Sequence, residues 1–568
     1  MKKWELLSEL GIRNQESGID DVIKILLKNR GITTKKEKEE FLHPKLEDVT
    51  VDSVGIKKTQ LKKALLRIKK AIEKEEHIVV FGDYDVDGIC GAAILWETLY
   101  ALGAKAMPYV PHRIDEGYGL STKGISNVIL NLFQDPKRTQ NEIPKQVRND
   151  KIGLIITVDN GIVANEAVAF ANKQGIDVII TDHHVPSKKL PKAHAIVHTT
   201  KLCGTGVAYL LSKELKTTEN DHLALVALAT VADLVPLTGA NRTLTKFGLE
   251  ELRKTKRPGL LALFQEAILD KKTIDTYQIG HVIAPRLNAM GRLEFAMDSL
   301  RLLCTTNPKR AKALALLLGS TNRERQLLTQ ETVAHALENL KSQKSNLKNL
   351  LFIAHETYQP GVIGLVAGRL VEEFYRPSIV IAIGETHSKA SARSIAGFNI
   401  IEFIRTHADL LVDAGGHPMA AGFTVETNKL VLLQEKLEQA AIEQITEDLL
   451  TRTLKIDMEL PLAKVNQELY DELQTLAPFG MLNPEPVFLT KGVVVEDIRL
   501  VGKDRRHLKL NLKSQVSNLN FDAIAFGLGA LAAEVHVGDR IDIAYIIDEN
   551  VWQGRKSLQL KIRDIKKN

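Results

Sequence analysis

Cysteine is scarce: Cys90, Cys203 and Cys304 are the only three in 568 residues, and no two form a CxxC pair. That excludes a disulfide framework and a thiolate zinc site, and leaves small buried apolar residues as the reading of all three. Long hydrophobic runs are missing too, since no stretch approaches the ~20 apolar residues of a membrane-spanning helix. Lys2 and Lys3 are followed by Glu5, Glu9 and Arg13 rather than by the apolar core of a signal peptide, so a cytoplasmic protein is expected. No glycine-rich loop ends in GKS or GKT, which speaks against nucleotide-driven work of the P-loop kind. What is present is ordinary globular material, 44% hydrophobic and 26% charged. A chain of this length exceeds what one core fills, so three or four domains are expected. A net charge of +6 is compatible with a polyanionic partner without requiring one.

Residues 1–50 carry short helical patterns and a solvated run, Lys35 to Glu40. From Ala71 the pattern alternates between apolar runs (His77 to Phe81, Ile152 to Val158, Asp177 to Thr181) and helix-like segments. This alternation predicts βαβ units around a mainly parallel sheet, with ligands at the carboxyl ends of the strands. The stretch 133–151, with two prolines and many charges, reads as an inserted loop. Helical spacing over 307–341 predicts a long connecting helix interrupted at Gly319. A second α/β pattern covers 342–445, starting with the strand Leu350 to Ala354. Five short strand patterns within 446–568 predict an OB-like barrel. The expected organisation is therefore α/β and multidomain: a helical segment 1–50, a parallel-sheet domain 51–306, the helix 307–341, a second α/β domain 342–445, and a barrel 446–568.

The chemistry concentrates in Gly82-Asp83-Tyr84-Asp85-Val86-Asp87-Gly88, between the first apolar run and a helix-like segment. Alternate residues of extended backbone face one side, so three carboxylates can converge. At ~5 Å apart each pair would repel by ~3 kcal/mol at an effective dielectric of ~20, which cations relieve. Carboxylate oxygens suit magnesium or manganese, and Gly88 permits a tight turn into the helix. An EF-hand calcium loop shares the spacing but fails on context, because a buried strand precedes the string and its twelfth position is Ile94. An acidic surface turn is the plain alternative. The second run ends in Asp159-Asn160-Gly161, the third in Asp182-His183-His184, and an apolar helical run ends at Asp233. Asp159 is placed to bridge two ions. A lone histidine is more often a satisfied core or surface residue, which is the reading of His77, His222, His281 and His387.

GDYDVDG, VDNG, Asp182-His183-His184 and TVADLVPL, in this order, resemble the four signature motifs of the DHH phosphoesterase superfamily. The RecJ-like branch is more similar still, over nearly the whole chain. Its resemblance includes Pro111-His112-Arg113, APRLNAMGRL, GVIGLVAGRLVEEFYRP, SARSIAGF, GGHPMAAGF and LAPFGMLNPEP. The resemblance implies a parallel-sheet DHH core, a DHH-associated second domain and an OB-like barrel. It also implies a 5′-to-3′ exonuclease that releases mononucleotides from single-stranded DNA, using two Mn2+ or Mg2+ ions. By it, Asp83, Asp85, Asp87, Asp159, His183 and Asp233 are metal ligands. Asp83, Asp159 and His184 are the catalytic set, with His184 toward substrate phosphate. Arg113, Arg286, Asn288, Ser391, Arg393 and His417 would hold the 5′ phosphate and adjoining backbone. Read without the family, Ser391 to Ser394 and Gly415-Gly416-His417 are a surface turn and a packing glycine pair. Arg499, Lys503, Arg505, Arg506 and Lys509 fit a single-strand groove on the barrel. A helicase and a single-strand-binding protein are expected partners, and the chain is expected to be monomeric. The chain departs from the family pattern at Val197-His198-Thr199-Thr200, where Val-Asn-Pro is usual, and in the length of the loop from Phe133. Alternatives within the superfamily are a nanoRNase-like phosphodiesterase, generally shorter and without the barrel, and a pyrophosphatase, which opens its first motif with histidine where Phe81 stands here. A non-catalytic scaffold is the reading from a different class, against which every expected ligand is intact.

Overall fold

The computed structural model describes residues 2–8, 18–113, 115–117, 119–133, 151–216, 220–341, 348–514, 519–552 and 554–567. Residues 134–150 of the expected inserted loop lie outside them. The chain divides into two compact units, the larger formed mainly by 6–291 and 455–568 and the smaller mainly by 320–454.

The larger unit is built on five parallel strands. In chain order they are His77–Gly82, Ala106–Tyr109, Ile152–Val158, Asp177–Asp182 and Ala195–His198. Both faces are covered, and the alternation along the first strand shows how. Ile78 and Val80 enter one core with Leu154, Ile156 and Ile179, while Val79 and Phe81 enter another with Ile155, Val178 and Ile180. Continuous apolar runs are what a doubly covered parallel sheet requires. In space the strands stand in the order second, first, third, fourth, fifth. The order therefore reverses between the first and third strands, and the crevice at such a switch point is where open α/β sheets bind ligands.

The same unit contains a closed five-stranded barrel. Phe488–Val501 pairs with both His507–Lys513 and Arg540–Trp552, and Asn520–Ala525 runs parallel to Arg555–Lys567 to complete the ring. Its core includes residues from the start of the chain: Val22, Ile23, Leu26 and Leu27 are buried with Met458, Leu460 and Leu469. These four apolar residues share one face of the helix Ile19–Asn29, the i, i+4 pattern of an amphipathic helix. Arg30 fastens the helix by donating to Asn483 Oδ1 (2.9 Å) and the Pro484 carbonyl (2.7 Å). The LAPFGMLNPEP stretch is tied to residues 237–242 as well. Arg242 donates to the carbonyls of Thr475 (3.1 Å) and Ala477 (2.7 Å), and the Leu237 amide donates to the Met481 carbonyl (2.8 Å).

The smaller unit is a mixed five-stranded sheet in the order Leu411–His417, Ala420–Glu426, His387–Arg393, Ser378–Ala382, Leu351–His355, with only the last pair parallel. The helix Ile363–Phe374 packs Val366 and Leu370 against Ile353 and Val380, and Leu430–Gln444 packs Leu433 and Leu437 into a separate core. The long helix runs unbroken from Pro308 to Lys341. Gly319 does not interrupt it: a Cβ there would stand 2.0 Å from Glu266 Oε1, so the glycine admits a neighbouring carboxylate.

Leu26 is fully buried in the barrel core. Leu26→Ala is expected to lower stability by ~2–5 kcal/mol, read as a lower urea midpoint with an unchanged slope. A change below ~0.5 kcal/mol, the range of surface substitutions, would mean that this helix does not share the core.

Candidate metal centre

Three adjacent strand ends deliver the centre. Asp83 follows His77–Gly82, Asp159 follows Ile152–Val158, and Asp182-His183-His184 ends the next strand. Asp159 sits in the left-handed region (φ 63°), a conformation that costs a non-glycine residue about 1–3 kcal/mol and recurs at functional sites. The neighbouring amide of Asn160 stitches this turn to its neighbours, donating to the carbonyls of Val158 (2.8 Å) and Phe81 (3.2 Å) while its Oδ1 accepts from the Leu120 amide (3.1 Å). Gly88 is compelled, because a Cβ there would lie 2.4 Å from the Asp83 nitrogen.

The carboxylates fall into two kinds. Asp85 caps the helix Val86–Ala101, accepting from the amides of Asp87 (2.9 Å) and Gly88 (3.1 Å). Asp87 is bound by the start of a second helix, Gly204–Glu214, whose Gly204 and Thr205 amides donate at 2.6 and 2.7 Å. Each of these charges meets the positive end of a helix. By contrast, both oxygens of Asp83 and the Oδ1 of Asp159 are buried without a hydrogen-bond partner among the described residues. Buried carboxylate oxygens without donors are costly, and a cation is what such a set of hard oxygen donors accommodates.

The histidines close the cluster. His183 Nε2 lies 3.1 Å from Asp159 Oδ1, 3.6 Å from Asp233 Oδ2 and 3.7 Å from Asp87 Oδ2. His184 Nδ1 is 3.8 Å from Asp159 Oδ1 and 2.8 Å from Asp182 Oδ1. Three sets of donor atoms each fit within 4.8 Å: Asp83, Asp85 and Asp159; Asp159, His183 and His184; and Asp87, His183 and Asp233. Asp159 belongs to two of them. All six expected metal ligands and His184 therefore come together in one place.

Burial raises the pKa of each unpaired carboxyl, and mutual repulsion adds to it. Asp83 is pushed well up by burial and then by Asp85, and Asp159 by burial and then by Asp87, Asp85 and Asp83. Asp233 is pushed up to about 9, again by burial first and Asp87 second. Burial alone would raise Asp182, but its hydrogen bond with His184 outweighs that and holds it low. For His184, burial opposes the charged ring, and the bond and charge of Asp182 more than compensate, so its pKa is raised.

The expected phosphate contacts are placed less uniformly. Arg113 lies over the Tyr84 ring, 5.2 Å from its centroid, beside the first motif. Asn288 Oδ1 accepts from the Val86 amide (3.1 Å), so it steadies the acidic loop. Arg286 donates to Glu266 Oε2 (2.7 Å) and to the Val282 carbonyl (2.9 Å), and its ion pair with Glu266 is largely removed from solvent. In the smaller unit Arg393 Nη1 donates to Ser391 Oγ (3.3 Å) and the Ala392 carbonyl (2.8 Å). Across two strands His417 pairs with Ala420 and Ala420 with Arg393, so Arg393 and His417 share one end of that sheet. Gly364 lies against Ser391 and Arg393, since a Cβ there would meet Ser391 Oγ at 2.8 Å and Arg393 Nη2 at 3.1 Å.

Sequence reasoning gave no role to Asn160, Asp182, Thr205 or His198. The last is the departure from the usual Val-Asn-Pro: its Nε2 lies 2.7 Å from the His184 carbonyl and so fixes the histidine-bearing turn. The replacement was visible in the sequence, and its contact was not.

The switch-point crevice and its acidic, histidine-bearing cluster define a phosphoesterase of the DHH class, and a DHH-family N-terminal domain model matches residues 77–230. A DHHA1 domain model matches 347–443 and a RecJ OB domain model 456–564. The single-stranded-DNA-specific exonuclease RecJ of Bacillus subtilis is 36% identical over 558 residues, covering 96% of this chain and 68% of that protein. The Escherichia coli protein of the same name is 32% identical over 579 residues, covering 96% and 95%. The crystal structure of RecJ from Thermus thermophilus in complex with Mn2+ has a TM-score of 0.80 at 28% identity, covering 100% of this chain and 80% of that one. The Mg2+ complex gives 0.74 at 27%, covering 100% and 78%. The chain belongs to the RecJ family of single-stranded-DNA-specific exonucleases.

The raised carboxyls give a signed expectation. A carboxyl whose folded pKa lies above its unfolded value stabilises the fold at low pH and loses that contribution as pH rises through the folded pKa. Metal-free protein should therefore lose stability from about pH 4 toward the Asp233 value of about 9. Bound cation replaces the protons, so the melting-temperature gain from Mn2+ over EDTA should grow across the same window. A gain that is flat or shrinks with pH contradicts this electrostatic picture.

Proposed function

We propose that this chain hydrolyses single-stranded DNA from the 5′ end to 5′-mononucleotides, serving DNA repair and recombination in the cytoplasm. The observation that carries this reading is the cluster of Asp83, Asp159, His183 and Asp233, in which the buried, partnerless oxygens of Asp83 and Asp159 suit cations, in a chain of this family. Asp83, Asp85, Asp87, Asp159, His183 and Asp233 would hold two ions, with Asp159 common to both. Divalent ions bound there supply Lewis-acid stabilisation of phosphoryl charge and a water ionised near neutral pH.

The chain's own groups do the rest. Asp182 holds the His184 ring by the 2.8 Å contact at Nδ1 and favours its protonated form, whose Nε2–H can donate to a phosphate oxygen. Asn288 and Asn160 fix the loops that carry the acids, so the ligand oxygens keep their positions during turnover. Arg113 would supply a donor for the 5′ phosphate or adjoining backbone; within the smaller unit, Ser391, Arg393 and His417 would bind phosphate. Arg286 is engaged with Glu266, so its contribution there would require exchange of that partner.

Residues 446–568, as the strand-binding domain, would grip the DNA further along. On the barrel the exposed Phe526 lies edge-on to His507, with centroids 5.3 Å apart, beside Lys503, Arg505 and Arg506. An aromatic platform rimmed by cations suits stacked bases and their phosphates. The chain would act as a monomer on strand delivered by a helicase and kept open by a single-strand-binding protein. No helix among the described residues is long and apolar enough to cross a membrane.

Digestion of end-labelled single-stranded DNA, single-stranded RNA and blunt duplex, with Mn2+ and products sized, tests the reading. Mononucleotides released from the 5′ end of single-stranded DNA are expected, and Arg393→Ala should lower preference for a 5′-phosphorylated over a 5′-blocked end by about tenfold, the scale of one charge-assisted contact. Release from the 3′ end, or internal cuts, would overturn it.

A further inference from the structure

The helices that bear the centre's ligands run away from it and end together at a second concavity. Val86–Ala101 begins beside Asp85 and ends beside Tyr100, while Asn220–Ala232 begins at the pocket with Asp221 and His222 and ends at Asp233. Between those far ends and the start of Pro258–Glu266 lies a cleft of about 720 Å³, in the size range of small-molecule sites.

Its floor is a closed set of charges with one atom left over. Glu97 accepts from Arg257 Nη1 (2.6 Å) and Nη2 (3.0 Å), and Arg257 Nε donates to Asp221 Oδ2 (2.7 Å). His222, with a side chain 2% exposed, places Nε2 3.0 Å from Glu97 Oε2. Burial alone would raise the Glu97 pKa, but the bonds from His222 and Arg257 hold it at about 2, so this carboxylate is ionised and accepts. In the tautomer that donates Nε2–H to Glu97, Nδ1 is the ring's acceptor. That Nδ1 is buried and has no partner among the described residues. One wall is aromatic: the Trp96 and Tyr100 rings lie 5.6 Å apart at 31°, and Tyr100 is 68% exposed. Lys254, whose Nζ lies 3.5 Å from Glu251 Oε1, and Lys256 also line the cleft, and Lys271 Nζ reaches within 3.5 Å of the Thr255 carbonyl beside them.

A planar ring with a hydrogen-bond donor on its edge and an anionic tail matches all three features. We propose that this cleft binds a nucleoside 5′-monophosphate whose base carries an exocyclic amine. The base lies along Tyr100 with its amine toward His222 Nδ1, and the phosphate lies toward Lys254 and Lys256. The ligand class is that of the product released in the proposed reaction, and to that extent the inference rests on that reading.

Calorimetric titration of 5′-dAMP into the full-length, Mn2+-supplemented chain is expected to show a site with a dissociation constant below about 1 mM that survives Asp159→Ala. Tyr100→Ala, and separately Lys254→Ala with Lys256→Ala, should each weaken that site about tenfold, the scale of one lost base stack or phosphate grip. Thymidine 5′-monophosphate, which lacks the amine, and deoxyadenosine, which lacks the phosphate, should bind it about tenfold more weakly than dAMP. Hydrolysis of single-stranded DNA is measured separately on the same proteins, so loss of the catalytic reading and loss of this one are distinguishable. Titrations unchanged by the Tyr100 and lysine substitutions, in variants whose circular dichroism matches the parent, overturn the proposal. So does capture of an acidic peptide at these residues with no binding of dAMP.

Discussion

Everything at the catalytic switch point answers to one constraint: carboxylates are crowded into a buried volume where their charges repel. At ~4 Å and an effective dielectric of ~20, one such pair costs ~4 kcal/mol, a large share of the stability of an ordinary domain. The fold meets part of this with helix starts. Asp85 and Asp87 each take two backbone amides, one set from Val86–Ala101 and the other from Gly204–Glu214. The close approach of that second helix depends on Gly204, where a Cβ would stand 2.6 Å from the Asp159 Cβ. Asp83 and Asp159 receive no such help, and their raised pKa values record the remainder. The amide-bound pair, in which burial and Asp87 still raise the Asp85 pKa, sets the geometry, and the pair without such donors creates most of the demand for cations.

The same economy of support extends to the barrel. Its core is closed by the helix Ile19–Asn29, and its entry loop is hydrogen-bonded to Leu237 and Arg242, which follow Asp233. The barrel and the carboxylate cluster therefore belong to one compact unit. Phosphate-binding candidates of the smaller unit are held instead by their own sheet, with Arg393 braced on Ser391 and on its neighbour's carbonyl.

The parallel sheet was legible because doubly buried strands are written as continuous apolar runs, and the centre because each run ends in an acid or a histidine. The barrel was legible in its five short alternating segments. Burial of Ile19–Asn29 in the barrel core was not, because the partners lie more than 400 residues away and periodicity reports that a face is apolar without saying what covers it. Gly319 misled for a related reason: glycine lowers helix propensity, and here tertiary contact with Glu266 overrides it. Arg286 and Asn288 were expected at substrate, and the structure engages one with Glu266 and the other with the Val86 amide. A motif records which residues matter, and only packing shows which neighbour each one serves. His198 shows the converse, a departure from the family pattern that nonetheless makes a specific contact with the His184 carbonyl.

The central claim is that Asp159 joins two cation positions into one centre. Electron paramagnetic resonance of the Mn2+-titrated chain, with binding stoichiometry from the same samples, tests it most directly. Two ions per chain with spin coupling between them are predicted, and Asp159→Ala should abolish the coupling together with hydrolysis. A single uncoupled ion at saturating Mn2+, or coupling that survives Asp159→Ala, would contradict the account.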